Sequence, residues 1–167
     1  FIDSVLETPN DPFSQYVNEN TFALVYKYNT DRDSILEFLN NFTNIKRIGF
    51  AFHGPSLNHD FILTPFIHND PLYTMDDIST NQTVCSGNVL FVKNLIQLFS
   101  ASLEHVDFLA CNTLLYDNWK QYFALLQLFN DTIIIGASTD DTGNLRFGGD
   151  WNMENTAEDI EIIYFDQ

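Results

Sequence analysis

The sequence predicts an α/β domain: a three-layer sandwich with a mostly parallel central sheet and helices on both faces. Three observations lead there. Strand-like and helix-like stretches alternate along the chain. The strand-like stretches lose the polar alternation of a half-solvated sheet and read as buried. And 167 residues with 45% hydrophobic and 15% aromatic content suffice for one sizeable core. Residues 1–167 are therefore expected to form a single domain, with residues 1–20 as an irregular lead.

After the polar, proline-containing run from Thr8 to Asn20, "TFALVYKY" (21–28) has the branched and aromatic content of a strand. "DRDSILEFLNNF" follows, with Asp31 and Asp33 suited to a helix start and Ile35, Leu36, Phe38 and Leu39 able to form one apolar face. "NIKRIGFAF" (44–52) reads as a strand buried past Arg47. From His53 to Asn88, Pro55, Pro65 and Pro71 break the pattern into loops, with "DFILTPFI" the one strand-like piece. "NVLFVKNLIQLFSASL" (88–103) is apolar and long enough for a helix, and "HVDFLA" (105–110) for a short strand ending at Cys111. "DNWKQYFALLQLF" is the next helix, with Asp117 as its expected cap and Trp119, Tyr122, Phe123, Leu126 and Phe129 spaced for burial. "TIIIGAS" is a buried strand. "DDTGN" and Gly148-Gly149 signal a hairpin-like region, and "EDIEIIYF" alternates as a closing strand.

A formal charge of −16 makes duplex DNA and anionic membrane surfaces poor partners, because both would repel the chain. No run of about 18 apolar residues occurs, so direct membrane insertion is not expected. The first residue is Phe1 and not methionine, as expected of a processed chain or an excised fragment. Two cysteines, Cys85 and Cys111, leave room for one bridge but make no disulfide scaffold. Asn41, Asn81 and Asn130 begin formal glycosylation triplets, a weak signal in so asparagine-rich a chain.

In open parallel sheets, ligands and catalytic groups gather beyond the carboxyl ends of the strands. Two predicted strands end in reactive side chains: "RIGFAF" in His53 and "VDFLA" in Cys111. On neighbouring parallel strands, roughly 4.8 Å apart, the two residues face one another. An imidazolium beside a thiol favours the thiolate, and the same imidazole can then serve as acid or base in acyl transfer. Gly54 allows close backbone approach, so the Gly54 and Cys111 amides are candidate oxyanion donors. Each residue also has a plain structural reading: histidine as a solvated loop residue, cysteine as a small core hydrophobe.

"FAFHG", with Cys111 in "DFLACN" 58 positions after His53 (111 − 53), resembles the His-Gly and Ala-Cys elements of the caspase, legumain and gingipain clan of cysteine peptidases. "IIIGASTDDTGNLRFGGDWNMEN" is more specifically similar to a domain near the N-termini of very large bacterial surface proteins and adhesins. The likeness spans about Thr21 to Phe165. It implies a caspase-like fold, a His53–Cys111 dyad, no cofactor, and an extracellular or cell- or particle-surface setting. The expected partner is a polypeptide substrate or the remainder of the parent chain. It also implies that the stretch beginning at Ala137 lines the pocket for the residue before the scissile bond. Ser138, Thr139, Asp140 and Asp141 are then the pocket residues, and the two carboxylates favour Lys or Arg. "STDDTGN" read alone is an ordinary tight turn. Cys111 is followed by Asn112-Thr113 where well-studied peptidases of the clan carry Arg-Gly or Ser-Gly.

Two other classes stand beside the peptidase. No metal is expected: His53, His59, His68 and Cys85 lack paired metal-ligand spacing, and Asp140, Thr142 and Asn144 lack the glycine and glutamate of a calcium loop. A structural or assembly domain, with other proteins as assembly partners, would keep the scaffold without the chemistry.

Overall fold

The computed structural model describes residues 1–27, 31–53, 87–143 and 148–166. Five strands form one sheet: β1 (Ile2–Asp3), β4 (Val25–Tyr26), β5 (Arg47–Ala51), β6 (His105–Leu109) and β7 (Ile134–Gly136). Their order is β4-β1-β5-β6-β7, and every neighbouring pair is parallel. The helices are α1 (Arg32–Leu39), α2 (Gly87–Leu98), α3 (Asp117–Phe129) and the one-turn α4 (Glu161–Tyr164). Two small antiparallel pairs complete the set, β2 (Glu7–Thr8) with β3 (Asp11–Pro12), and β8 (Asn152–Met153) with β9 (Glu158–Asp159).

From β4 through β5 and β6 to β7 the chain always steps the same way across the sheet. Right-handed crossovers then put every connecting helix on the same face. The main core bears this out: α1, α2 and α3 bury Leu39, Leu95 and Trp119 against Ile48 and Phe50 of β5, Val106 and Phe108 of β6, and Ile135 of β7. The opposite face carries Ile2, Ala51 and Leu109, which pack against Met153, Ile160, Tyr164 and Phe165. Helices do lie on both faces, but the second layer is mostly the β8–β9 hairpin and the single turn of α4. That layer lies close to the sheet. A Cβ at Gly49 would meet Leu109 Cδ1 at 3.0 Å and Tyr164 Cζ at 3.1 Å.

Most predicted elements recur, shortened at their ends. Asp31 caps α1, accepting from the Asp33 amide at 3.2 Å and the Ser34 hydroxyl at 2.7 Å. The Ser34 bond and the Asp33 amide hold its carboxyl below the usual range. Three expectations differ. Residues 2–3 of the expected irregular lead are a strand between β4 and β5. Asp117 is the first residue of α3 and not its cap; the cap position is Tyr116, which makes no side-chain capping bond. "EDIEIIYF" pairs through Glu158–Asp159 only and then turns helical. Ile160 and Tyr164, four apart, bury themselves on one side of that turn, and Asp159 accepts from the Glu161 amide at 2.9 Å. The expected loops and "DFILTPFI" strand between His53 and Asn88 lie largely outside the described residues.

A charged cluster ties the second layer to the sheet. Asp107, 1% exposed, accepts from Tyr164 Oη at 2.5 Å and from Arg47 Nε at 3.3 Å. Arg47 also donates to both Glu158 oxygens at 2.8 and 2.7 Å and lies 2.8 Å from His105 Nδ1. Burial raises the Asp107 carboxyl against the lowering pull of Tyr164 and Arg47, whereas the Arg47 hydrogen bond holds Glu158 low. Burial alone would lower the Arg47 guanidinium, but Glu158 and Asp107 more than reverse this and keep it charged. Gly136 makes room for Asp107: a Cβ there would lie 2.3 Å from Oδ1.

Candidate functional site

The site is built at the carboxyl edge of β5, β6 and β7. These two strand pairs are held in register over their length, Arg47↔His105 through Ala51↔Leu109 and His105↔Ile134 through Asp107↔Gly136. Continuing the first register by two residues sets His53 level with Cys111. Phe52 and Ala110, just past the strand ends, belong to the helix-side core, while Ala51 and Leu109 belong to the opposite one; extending that alternation by one more residue points from His53 and Cys111 toward the side of Ala51 and Leu109.

The strands part at this level. The Phe52 amide still donates to the Leu109 carbonyl, at a long 3.4 Å. One rung further, the Cys111 amide N–H has no hydrogen-bond partner among the described residues. His53 is exposed, and Cys111 is a half-buried free thiol. Gly54, the second expected oxyanion donor, lies outside the described residues, as do His59, His68, Cys85 and Asn144.

The loop after β7 wraps the Cys111 turn. Asn112 takes a left-handed conformation, φ 61°, that reverses the chain into a 3-10 turn at Thr113–Leu115. Its amide donates to the Asp140 carbonyl at 2.8 Å, and the Leu114 amide donates to the Ser138 carbonyl at 2.9 Å. Asn112 Nδ2 reaches Asp141 Oδ1 at 3.2 Å, and the Cys111 thiol donates to the Thr142 carbonyl at 3.7 Å. The structure thus brings Ser138, Thr139, Asp140 and Asp141 alongside Cys111, in four different settings. Ser138 is fully buried and its hydroxyl donates to Asp140 at 3.1 Å, so it shapes the loop from within. Thr139 is half-buried, its amide donating to Glu154 Oε2 at 2.8 Å. Asp140 and Asp141 are exposed.

Gly148 and Gly149 support this loop from below. Gly148 adopts φ 89°, which favours glycine. A Cβ on Gly149 would lie 2.7 Å from the Asp141 carbonyl oxygen, so no larger residue fits without moving the loop. Trp151 anchors the far end, its ring 4.6 Å from that of Phe165.

Two features of this edge escaped the sequence reading. Asp3, 5% exposed at the end of β1, places a buried carboxyl on the strand beside β5, and its charge helps raise the Tyr26 phenol, behind the larger effect of burial. Nothing in a lone Ile-Asp pair signals a central strand. Asp140 also converges with Asp150 and Glu154, each offering an oxygen within 4.8 Å of the others. All three accept protein hydrogen bonds, from Ser138, Asn152 and the Thr139 amide. The predicted oxygen set of Asp140, Thr142 and Asn144 is a different one.

No family model, curated protein or solved structure matches the chain. Function therefore has to be argued from the site itself.

Proposed function

We propose that the chain is a caspase-like cysteine peptidase or self-processing domain in which His53 and Cys111 form the catalytic dyad. One observation carries the reading: His53 and Cys111 each stand two residues past the last register pair, Ala51↔Leu109, of the neighbouring parallel strands β5 and β6, at the sheet edge where the strands separate. The Cys111 thiolate attacks a peptide carbonyl and His53 protonates the leaving amine. Water, deprotonated by His53, then releases the acyl-enzyme. The Cys111 amide N–H, free of the ladder, is available to the oxyanion. Asp140 and Asp141, exposed beside Cys111, favour Lys or Arg before the scissile bond. The substrate is a polypeptide, in trans or in the parent chain, and the family resemblance suggests an extracellular or surface setting.

A second reading, a structural or assembly domain, has one observation in its favour. The Cys111 thiol already donates to the Thr142 carbonyl, as a cysteine that only ties two loops together would.

The readings separate on a library of fluorogenic peptides. Cleavage after Lys or Arg, abolished by Cys111→Ala and reduced at least 100-fold by His53→Ala, is the expected result. A folded wild-type chain that cleaves neither these peptides nor itself would contradict the peptidase reading.

A further inference from the structure

β7 is the last strand of the described sheet, and side chains bond to its outer edge where one more strand would otherwise lie. Along a parallel strand, successive residues turn their main-chain groups to opposite neighbours. The Ile134 amide donates to the Glu104 carbonyl, just before β6, so Ile135 and Ala137 turn their groups outward. There the Asn155 side chain meets both. Its Nδ2 donates to the Ile135 carbonyl at 2.6 Å, and its Oδ1 accepts from the Ala137 amide at 2.9 Å. A main-chain residue of one more parallel strand would make the same two bonds. Two positions further on, the Thr139 amide donates to Glu154 Oε2 at 2.8 Å.

The turn that offers these side chains is itself fixed. Met153 is fully buried, and a Cβ on Gly136 would lie 3.3 Å from its Cγ, so β8 packs against β7 on the second face. Arg47 holds the other arm of the hairpin through Glu158. Between the arms, the Thr156 amide and hydroxyl both donate to the Met153 carbonyl, at 3.0 and 3.2 Å, and close the turn. A side-chain amide carries a donor and an acceptor side by side, as a peptide unit does, so asparagine can stand in for a strand residue here.

Ala137 is also where β7 gives way to the loop that wraps Cys111. On its inner side that loop is held by the Asn112 and Leu114 amides, which donate to the Asp140 and Ser138 carbonyls at 2.8 and 2.9 Å. Asn155 and Glu154 hold it from the outer side. The exposed carboxylates of Asp140 and Asp141 are thus set between two clamps, and the outer one belongs to the β8–β9 hairpin. We propose that Asn155 is a positioning residue for the candidate site: acting as a one-residue strand, it holds loop 138–141 so that Asp140 and Asp141 select Lys or Arg before the scissile bond. The selection rests on the peptidase reading above; the hold on the loop does not.

The test compares the full chain as wild type, Asn155→Asp and Asn155→Ala. Asn155→Asp keeps the shape and the acceptor but loses the donor to Ile135. Asn155 is exposed, so both cores stay intact in either variant. Hydrogen exchange at the Asn112 and Leu114 amides is expected to quicken about tenfold in both variants, with exchange in β6 unchanged. On fluorogenic peptides, the preference in kcat/KM for Arg over its neutral isostere citrulline should fall about tenfold, through KM and not kcat. Unchanged exchange at Asn112 and Leu114 would overturn the hold on the loop. Faster exchange with an unaltered Arg preference, including an equal loss on both peptides, would overturn the selection. A wild type that cleaves nothing would contradict the peptidase reading, and the exchange result would still decide whether Asn155 holds the loop.

Discussion

Replacing Arg47 with alanine is expected to destabilise the fold by about 3–5 kcal/mol at neutral pH, the scale of breaking a buried ion pair by removing one partner. Asp107 is 1% exposed and Arg47 18% exposed, so little water is at hand to replace the guanidinium. The loss has two parts. Asp107 keeps the Tyr164 hydroxyl but no cation, and Glu158 no longer pins the β8–β9 hairpin to β5. Lys46, one residue earlier, provides the contrast. Its bond to Glu104 joins side chains 68% and 59% exposed, and Lys46→Ala should cost no more than about 1 kcal/mol.

The Arg47→Ala deficit should also depend on pH, with a sign that follows from the two carboxylates. Glu158 is held below its ordinary range by the Arg47 hydrogen bond, so its contribution is present above that range and is lost as pH falls. Asp107 is raised by burial, so it weakens the fold as pH rises through its folded-state value, and loss of Arg47 enlarges that penalty. Both effects make the deficit widest near neutrality and smaller in acid. Urea denaturation of wild type and variant from pH 4 to 8 measures it. A deficit that does not change with pH would mean that Arg47 acts through packing alone.

The second large effect belongs to the main core. Phe108, fully buried at the centre of β6, has its ring 5.4 Å from that of Phe50, 5.0 Å from Phe123, 5.9 Å from Tyr122 and 6.1 Å from Trp119. Its neighbours come from a strand and a helix that are each fixed elsewhere, so they are poorly placed to collapse into the space. Phe108→Ala should therefore cost about 3–5 kcal/mol. For a chain of this size that corresponds to a drop in Tm of roughly 10 °C or more. Leu128, 58% exposed on α3, is the matched control, and its replacement by alanine should change stability by no more than about 0.5 kcal/mol. A Phe108→Ala loss below about 1 kcal/mol would contradict this account of the core.

What could be read in the sequence follows from how each feature is encoded. The helices around Ile35 and Trp119, and strands β5 and β6, declare themselves through periodicity and buried runs. So do the positions of His53 and Cys111 just past the ends of β5 and β6, because both residues follow such runs. The loop from Ser138 to Asp141 could be placed near Cys111 only through the family resemblance, since its residues are ordinary turn formers. Other features depend on distant partners. Two residues suffice for β1, because its neighbours supply the rest of the sheet. Arg47, Asp107 and Glu158 meet across three elements, and no local pattern links them. The last stretch misled because "EDIEIIYF" alternates by 2 while Ile160 and Tyr164 also satisfy a helical turn, and the second-face packing decides for the turn. Likewise, alternation of strands and helices does not reveal that every crossover from β4 to β7 steps in one direction, which is what leaves one face to so thin a layer.

The most direct test of the His53–Cys111 dyad is the alkylation rate of Cys111 from pH 5 to 9, followed by peptide mass spectrometry without reductant, in wild type and His53→Ala. A dyad predicts rapid labelling of Cys111 already at pH 6, slowed at least tenfold in His53→Ala, with Cys85 as the internal reference. Labelling of Cys111 that rises only near pH 8 to 9 and is indifferent to His53 would contradict the dyad and leave a structural domain.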